Sequence, residues 1–266
     1  MPRPLSTARQ QKDLLAAIRE GDMENVERWC SYARSVDEKV MFAIMLGNHT
    51  ESVSTKMLEW VVPHLGKIAL QQGFKYACIK SYTAAFDLLL PLIDPKYNFS
   101  ESLRLVSYNG IAEMVQRLLP ISDPTAMGCV ALKSAAEGGH WSVLDQLMGN
   151  VEESSLPQEV VEDIVRCAAR SANLQFLKRL LPFNSQQLNG CYVVLAAEKG
   201  NREVVDLLYP HCETFYLPSM LQASLERNQI SQENYNYVLH YDEHKTHEKI
   251  AQEVEQMGHA SLRRKI

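Results

Sequence analysis

Residues 193–208 read VVLAAEKGNREVVDLL, and the spacing of four of these residues returns along most of the chain. Relative to Gly200, Val193 stands seven residues before, Ala196 four before and Leu208 eight after. Seven other segments have an anchor in a comparable place. The eight anchors are Gly21, Gly47, Ser81, Gly110, Gly139, Ala172, Gly200 and Arg227. Such a recurrence indicates an array of repeated structural units.

The residues seven and four positions before each anchor predict a first helix with one apolar face. The position at minus seven is apolar in every copy, and the position at minus four is alanine in seven of the eight. The minus-seven residues are Leu14, Val40, Phe74, Leu103, Leu132, Val165, Val193 and Met220. The minus-four residues are Ala17, Ala43, Ala77, Val106, Ala135, Ala168, Ala196 and Ala223. Their spacing puts both on one helix face, and alanine there allows a neighbouring helix to approach closely.

A second helix follows each anchor. In six copies it has apolar residues at plus five and plus eight, and the second and eighth copies reach Val61 and Val238 only with insertions of about six and three residues. Trp29 fills the plus-eight position of the first copy, where we expect core packing. Proline ends five of these helices because it removes a backbone donor. The five are Pro63, Pro91, Pro120, Pro182 and Pro210. Helices this short are marginal alone, so stacked pairs must share a continuous core.

The repeated unit resembles a divergent ankyrin repeat. Residues 131–140, ALKSAAEGGH, are similar to the ankyrin stretch Pro-Leu-His-x-Ala-Ala-x-x-Gly-His, and residues 195–208 continue the likeness into the second helix. The resemblance implies an all-α solenoid of about eight degenerate helix-turn-helix repeats. Anchor spacings of 26 to 34 residues are mostly below the ankyrin period of 33, which predicts short or absent β-hairpin fingers. A generic helix-pair solenoid of the TPR or HEAT type is the rival architecture.

We expect the repeat array to occupy residues 1–240 and a charged C-terminal capping helix or tail to occupy residues 241–266. The recurring Leu-Leu-Pro-x-x-Asp-Pro pattern is similar to repeats of bacterial and phage-encoded ankyrin-like proteins. Within the proposed tail, Ile250, Val254 and Met257 share one helical stripe. This stripe favours a cap over the last repeat, and a detachable binding tail is the alternative.

Composition narrows the classes of function. A net charge of −5 disfavours nucleic acid as the main ligand, and no apolar run is long enough for a membrane span. The six cysteines are scattered, which favours small buried side chains over disulfides or metal ligands. We therefore expect a cytoplasmic protein, and delivery into a host cell by a secretion system stays open.

Signatures of catalysis are lacking in the sequence. It has no nucleotide-binding loop, metalloprotease motif or nucleophile elbow. His244 and His247 could face one way on a helix, so a metal-dependent enzyme built on this pair is an alternative. A solvated terminal helix explains the pair more simply. We expect no catalytic residues, metal or cofactor.

Basic residues at minus six in four consecutive copies suggest a partner-binding surface. They are Lys75, Arg104, Lys133 and Arg166, which we call the basic column. Further candidates on the first helices are Met41, Met45, Leu46, Ile79, Tyr108 and Arg170. The ankyrin resemblance implies that these positions face the concave, partner-binding side. Cations beside apolar side chains suit an acidic protein segment with apolar anchors.

The alternative is that these cations pair with Glu101, Glu162 or Asp163 close by on the same helix. The predicted function is non-catalytic protein recognition by an adaptor, scaffold or inhibitor, with a host or defence protein as one expected target. A nucleic-acid-binding repeat protein is a further alternative.

Overall fold

The computed structural model describes residues 7–33, 36, 38–183 and 188–248. These residues form helices and connecting turns, without a β-strand among them, and one isolated bridge joins Leu188 to Cys212. The all-α prediction is therefore confirmed for this part of the chain. The molecule divides into an N-terminal unit, Met1–Ser155, and a C-terminal unit, Leu156–Ile266.

The N-terminal unit consists of helix pairs. Its helices are α1 (Thr7–Glu20), α2 (Met23–Tyr32), α3 (Glu38–Leu46), α4 (Glu51–Val61), α5 (Lys67–Lys80), α6 (Thr83–Leu89), α7 (Tyr97–Tyr108), α8 (Ala112–Leu118), α9 (Ala126–Glu137) and α10 (Trp141–Met148). The odd-numbered first helices pack in the order α1, α3, α5, α7 and α9. Among the second helices, α2 packs on α4, α4 on α6, and α8 on α10. The fold is thus repeat-like, with first and second helices in separate layers.

The C-terminal unit continues the same helix-pair pattern. Its helices are α11 (Gln158–Ser171), α12 (Leu174–Leu180), α13 (Cys191–Glu198), α14 (Arg202–Leu208), α15 (Leu217–Glu226) and α16 (Gln232–Leu239). Residues 241–248 are also helical, and the predicted stripe at Ile250, Val254 and Met257 lies outside the described residues. Within the described residues, no helix combines the length and apolar character needed to cross a bilayer.

The core sits between the two helix layers, at the positions that the repeat marks. Ala17, Ala77 and Ala135 are all buried, as are the plus-eight leucines from Leu89 to Leu208. Six of the eight anchors have left-handed backbone, with φ between 58° and 72°. Two of these, Ser81 and Ala172, lack the freedom of glycine. Repeat geometry therefore imposes the conformation even where the residue disfavours it.

The second and eighth copies differ from the predicted register by one residue. Gly47 is not left-handed, and the buried residues of α3 fit an anchor at Asn48 instead. In the last copy Asn228, with φ of 56°, has the left-handed conformation that we predicted for Arg227. The shift moves Ile44 and Ser224 into the minus-four position, and both are buried. The buried face of the helix, rather than the glycine, sets the register.

The proline signals act as predicted. In the segments of Pro63, Pro91, Pro120, Pro182 and Pro210, the α-helix ends two residues before the proline and a three-residue 3₁₀ turn follows. The expectation for Trp29 is wrong in part, because its side chain is only half-buried and the neighbouring Cys30 lies in the core. The indole instead has the guanidinium of Arg28 about 6.0 Å from its ring centre.

Polar contacts join each repeat to the next. Gln71 bonds both backbone groups of Asp94, and the hydroxyl of Ser100 accepts from the backbone N–H of Asp123 at 3.0 Å. Glu51 of α4 accepts from the backbone N–H of Ala84 at 2.9 Å, so it caps a helix of the following repeat. The contacts of Gln71 and Ser100 hold first helices to the connections that follow them, and the Glu51 contact joins two second helices.

Candidate partner-binding surface

Three large apolar side chains are exposed at the same position of three consecutively packed first helices. Leu46 of α3 is 53% exposed, Ile79 of α5 is 42% exposed and Tyr108 of α7 is 62% exposed. With the second anchor moved to Asn48, all three lie two residues before their anchors. We call them the apolar strip. Contiguous apolar exposure of this kind marks interaction sites on soluble domains.

Half-buried side chains support the strip from one side. Phe42 of α3 and Tyr76 of α5 meet edge to face with ring centres 5.6 Å apart. A groove between α1 and α3 is lined by Leu15, Arg19, Phe42 and Leu46. The aromatic contact across two repeats limits the freedom of the side chains beside the strip, which reduces the ordering cost of binding there.

The prediction of a binding role for Met41 and Met45 is wrong. Both side chains are fully buried in the core. Because the anchor of this copy is one residue later than expected, Met41 takes the minus-seven core position and Met45 takes minus three. Phe42 then occupies the minus-six position, which sequence analysis missed. A test of the apolar phase within 38–46, independent of the glycine, could have found it.

The basic column is placed on adjacent helices in the N-terminal unit, but its charges are partly paired. Nζ of Lys75 lies 2.6 Å from Oε1 of Glu101, which belongs to the next first helix. Arg104 donates to the backbone carbonyl of Asn98 at 3.2 Å, and Lys133 of α9 is half-buried. Lys75 thus pairs with an acid of the neighbouring helix, which the alternative of pairing within one helix did not predict. Arg166 of α11 pairs with Asp163 of its own helix, as that alternative has it.

Glu101 remains ionised between these cations. Partial burial works against its charge, but hydrogen bonds from Asn98 and Lys75 outweigh burial and hold the pKa of the carboxyl below its ordinary value. Lys75, Arg104 and Glu101 together thus carry one net positive charge near the apolar strip. The surface beside the apolar strip therefore keeps a positive charge, although the pairing with Glu101 reduces it.

Arg166 and Arg170 lie in the C-terminal unit, on α11. Nη2 of Arg166 lies 2.7 Å from Oδ1 of Asp163, and Arg170 is exposed. Their helix has a net negative charge, since Glu159 and Glu162 also belong to it. The structure therefore assigns these two arginines to an acidic helix rather than to the cationic setting of Lys75, Arg104 and Lys133.

Charge is divided between the two helix layers of the N-terminal unit. Its first helices, α1, α3, α5, α7 and α9, contain nine basic and five acidic residues, a net charge of +4. The second helices, α2, α4, α6, α8 and α10, contain three basic and seven acidic residues, a net charge of −4. The acidity of the whole chain therefore conceals a cationic layer around the apolar strip.

Other candidate chemistry has a structural explanation within the described residues. The ring of His244 stacks on Tyr237 with centres 5.5 Å apart, and no cluster of three metal-ligating side chains forms in the described ranges. Burial raises the pKa of the Cys78 thiol to about 12, so the reactive thiolate is scarce at neutral pH. The alternative of a metal enzyme at the histidine pair lacks a third ligand in this part of the chain.

No protein-family model matches the sequence, and no curated protein matches it.

Proposed function

We propose that this chain is an ankyrin-like helical repeat protein. Three features support the assignment: paired helices, left-handed anchors between them and a recurring buried residue at minus seven. In this proposal the hairpin fingers of ankyrin repeats are reduced to 3₁₀ turns and short loops. The lengths of the intervals, which are not uniform, favour this over a tetratricopeptide array.

The proposed function is non-catalytic binding of a partner protein, as an adaptor, scaffold or inhibitor. The observation that carries it is the apolar strip: one exposed apolar side chain at an equivalent position on each of α3, α5 and α7. Solvated faces of repeat helices have no structural need for Leu46, Ile79 and Tyr108. Partner binding gives these side chains a role, and the cationic layer around them favours an acidic partner.

We also propose a reducing compartment, such as the cytoplasm, as the place of action. All six cysteines are free thiols, and four of them are buried. Buried free thiols contribute to packing as small apolar groups, and such a pattern is typical of proteins that do not depend on disulfides.

Affinity capture with paired variants tests the binding proposal. The full chain and a double variant, Ile79→Ser with Tyr108→Ser, are used as baits in extract from the native source, and captured proteins are quantified by mass spectrometry. We expect a specific protein to be recovered by the full chain and reduced at least tenfold by the double variant, because two apolar anchors are lost.

Tyr32→Ser provides the matched control, since Tyr32 is 63% exposed but belongs to α2 in the other helix layer. This variant should capture the same protein as the unmodified chain. Circular dichroism checks that all three chains fold. If every specifically captured protein is recovered equally by the double variant, the apolar strip is not the binding surface and the proposal fails.

A further inference from the structure

The apolar strip has a repeat distance that restricts the partner. Packed helices lie about 8–10 Å apart, so the side chains of Leu46, Ile79 and Tyr108 follow one another at roughly that interval. An α-helix advances about 10.5 Å in seven residues and returns nearly to the same face. A polyproline II segment advances about 9 Å in three residues. A β-strand presents residues three apart on opposite faces, so it cannot supply three anchors in this register.

Backbone hydrogen bonding decides between an α-helical and a polyproline II partner. The N–H and C=O groups along α3, α5 and α7 bond within their own helices, so this face offers side chains to a partner. An extended segment laid across it would lose water from its own backbone groups without gaining new hydrogen-bond partners, which makes its binding unfavourable. A helical partner has already satisfied its backbone. The face therefore favours a helix.

Charge supplies the second restriction. Lys75 and Arg104 stand one helical turn, about 6 Å, before Ile79 and Tyr108 on the same helices. A partner that lies along the strip therefore meets an apolar row and a parallel basic row. In a helix, residues four apart are separated by about 40° around the axis, so one face can present both matching rows.

We propose that the apolar strip binds an amphipathic α-helix whose apolar residues recur every seven positions and whose carboxylates line one flank. This inference rests on the proposed protein-binding function and specifies the partner of the same surface. The apolar residues of the partner contact Leu46, Ile79 and Tyr108, and its carboxylates face Lys75 and Arg104. The partner helix thus lies across α3, α5 and α7 and contacts them through the side chains of its apolar face.

The ends of the strip set its length. The position equivalent to Tyr108 is exposed Glu137 on α9, and the position equivalent to Leu46 is exposed Arg19 on α1. Apolar contact thus ends after three helices. A bound helix needs three apolar anchors over two heptads, or about 21 Å. One end of the bound helix would lie near the positive charge of Arg19, and the other end would lie near the negative charge of Glu137.

Synthetic peptides test the inference on the full chain by fluorescence anisotropy. The heptad peptide, of about 24 residues, has leucines seven apart with glutamates along one flank. The reordered peptide has the same composition with leucines three apart, which is the polyproline II period. A lysine peptide keeps the heptad but replaces each glutamate. We expect the heptad peptide to bind at least tenfold more tightly than either of the others and to gain helicity on binding.

Variants of the protein locate the peptide. Ile79→Ser with Tyr108→Ser should weaken binding of the heptad peptide at least tenfold, and Tyr32→Ser should leave it unchanged. Raising the salt concentration from about 50 mM to about 500 mM should weaken it severalfold, because exposed charges are screened.

Equal or tighter binding of the reordered or the lysine peptide would overturn the inference, as would undetectable binding of the heptad peptide. Binding that is indifferent to Ile79 and Tyr108 would overturn it equally. The proposed function fails separately, through affinity capture that does not depend on the strip. A strip-dependent partner that is recovered while the heptad peptide fails would leave protein binding in place and exclude the heptad helix.

Discussion

At the scale of single residues, the left-handed backbone of an anchor, rather than lack of space for a side chain, determines the effect of a substitution there. Gly139 has φ of +70°, and a Cβ added there would meet no atom within 4 Å. Gly149 has a helical φ of −63°, and a Cβ there would make only ordinary contacts. Ser81 has φ of 60° although it is not glycine. Gly139 and Gly149 therefore differ in backbone geometry more than in crowding, and Ser81 shares the left-handed geometry of Gly139.

Opposite effects on stability should follow from the same substitution at the two glycines. Gly139→Ala should lower the free energy of unfolding by about 1 kcal/mol, since an L-residue is strained at positive φ. Gly149→Ala should raise it by about 0.5 kcal/mol through reduced entropy of the unfolded chain. Ser81→Gly should raise it by about 1 kcal/mol.

Urea unfolding followed by circular dichroism measures all three variants of this set. A Gly139→Ala variant as stable as Gly149→Ala would contradict the left-handed anchor at that position.

At the scale of elements, the helical residues 241–248 are fastened to α14 through Asp206. Its carboxylate accepts from the hydroxyl of Tyr237 at 2.5 Å and from Nζ of Lys245 at 2.8 Å. Burial alone would lower the pKa of Lys245, but hydrogen bonds to Asp206 and Glu248 outweigh it and raise that pKa. Lys245 therefore stays charged at neutral pH, so the contact persists. Together with the hydroxyl of Tyr241, which donates to the backbone carbonyl of Asp206 at 3.2 Å, the Lys245 bond holds residues 241–248 against α14.

Removal of this carboxylate should release the terminal helical segment. In Asp206→Ala, amide hydrogen exchange of residues 241–248 should accelerate about tenfold, since a hydrogen bond to a charged group contributes roughly 1.5 kcal/mol. Glu203→Ala is the control, because it removes an exposed carboxylate from the same helix. Equal exchange rates in the two variants would show that Asp206 does not hold this segment.

At the scale of the whole molecule, sequence periodicity predicts the helix pairs because burial recurs wherever neighbouring units pack. Leu14, Leu103 and Val193 are buried at the same repeat position although their surroundings differ. The predicted register was wrong in the second copy, because Gly47 stands where an anchor was expected but lacks the left-handed backbone of the other glycine anchors. This single-residue error placed Met45 on the surface rather than in the core.

The candidate site could be predicted less completely than the fold. Leu46, Ile79 and Tyr108 were recognisable because exposed positions of a repeat are known once its buried face is known. The contact of Lys75 with Glu101 could not be derived from spacing, because it joins two helices whose relative rotation depends on packing. The division of charge between the two helix layers could have been predicted, because it requires only the helix bounds and the sum of charges within each helix.

A repeat array implies that stability is distributed along the chain, since each pair packs mainly on its neighbours. Leu14 of α1 and Leu118 of α8 are both buried, and each Leu→Ala substitution should cost about 3 kcal/mol locally. In Leu118→Ala, hydrogen exchange should accelerate most in α7–α10. In Leu14→Ala, the largest acceleration should fall in α1–α4. Uniform acceleration across the N-terminal unit in both variants would indicate one cooperative core and would contradict nearest-neighbour packing as the source of its stability.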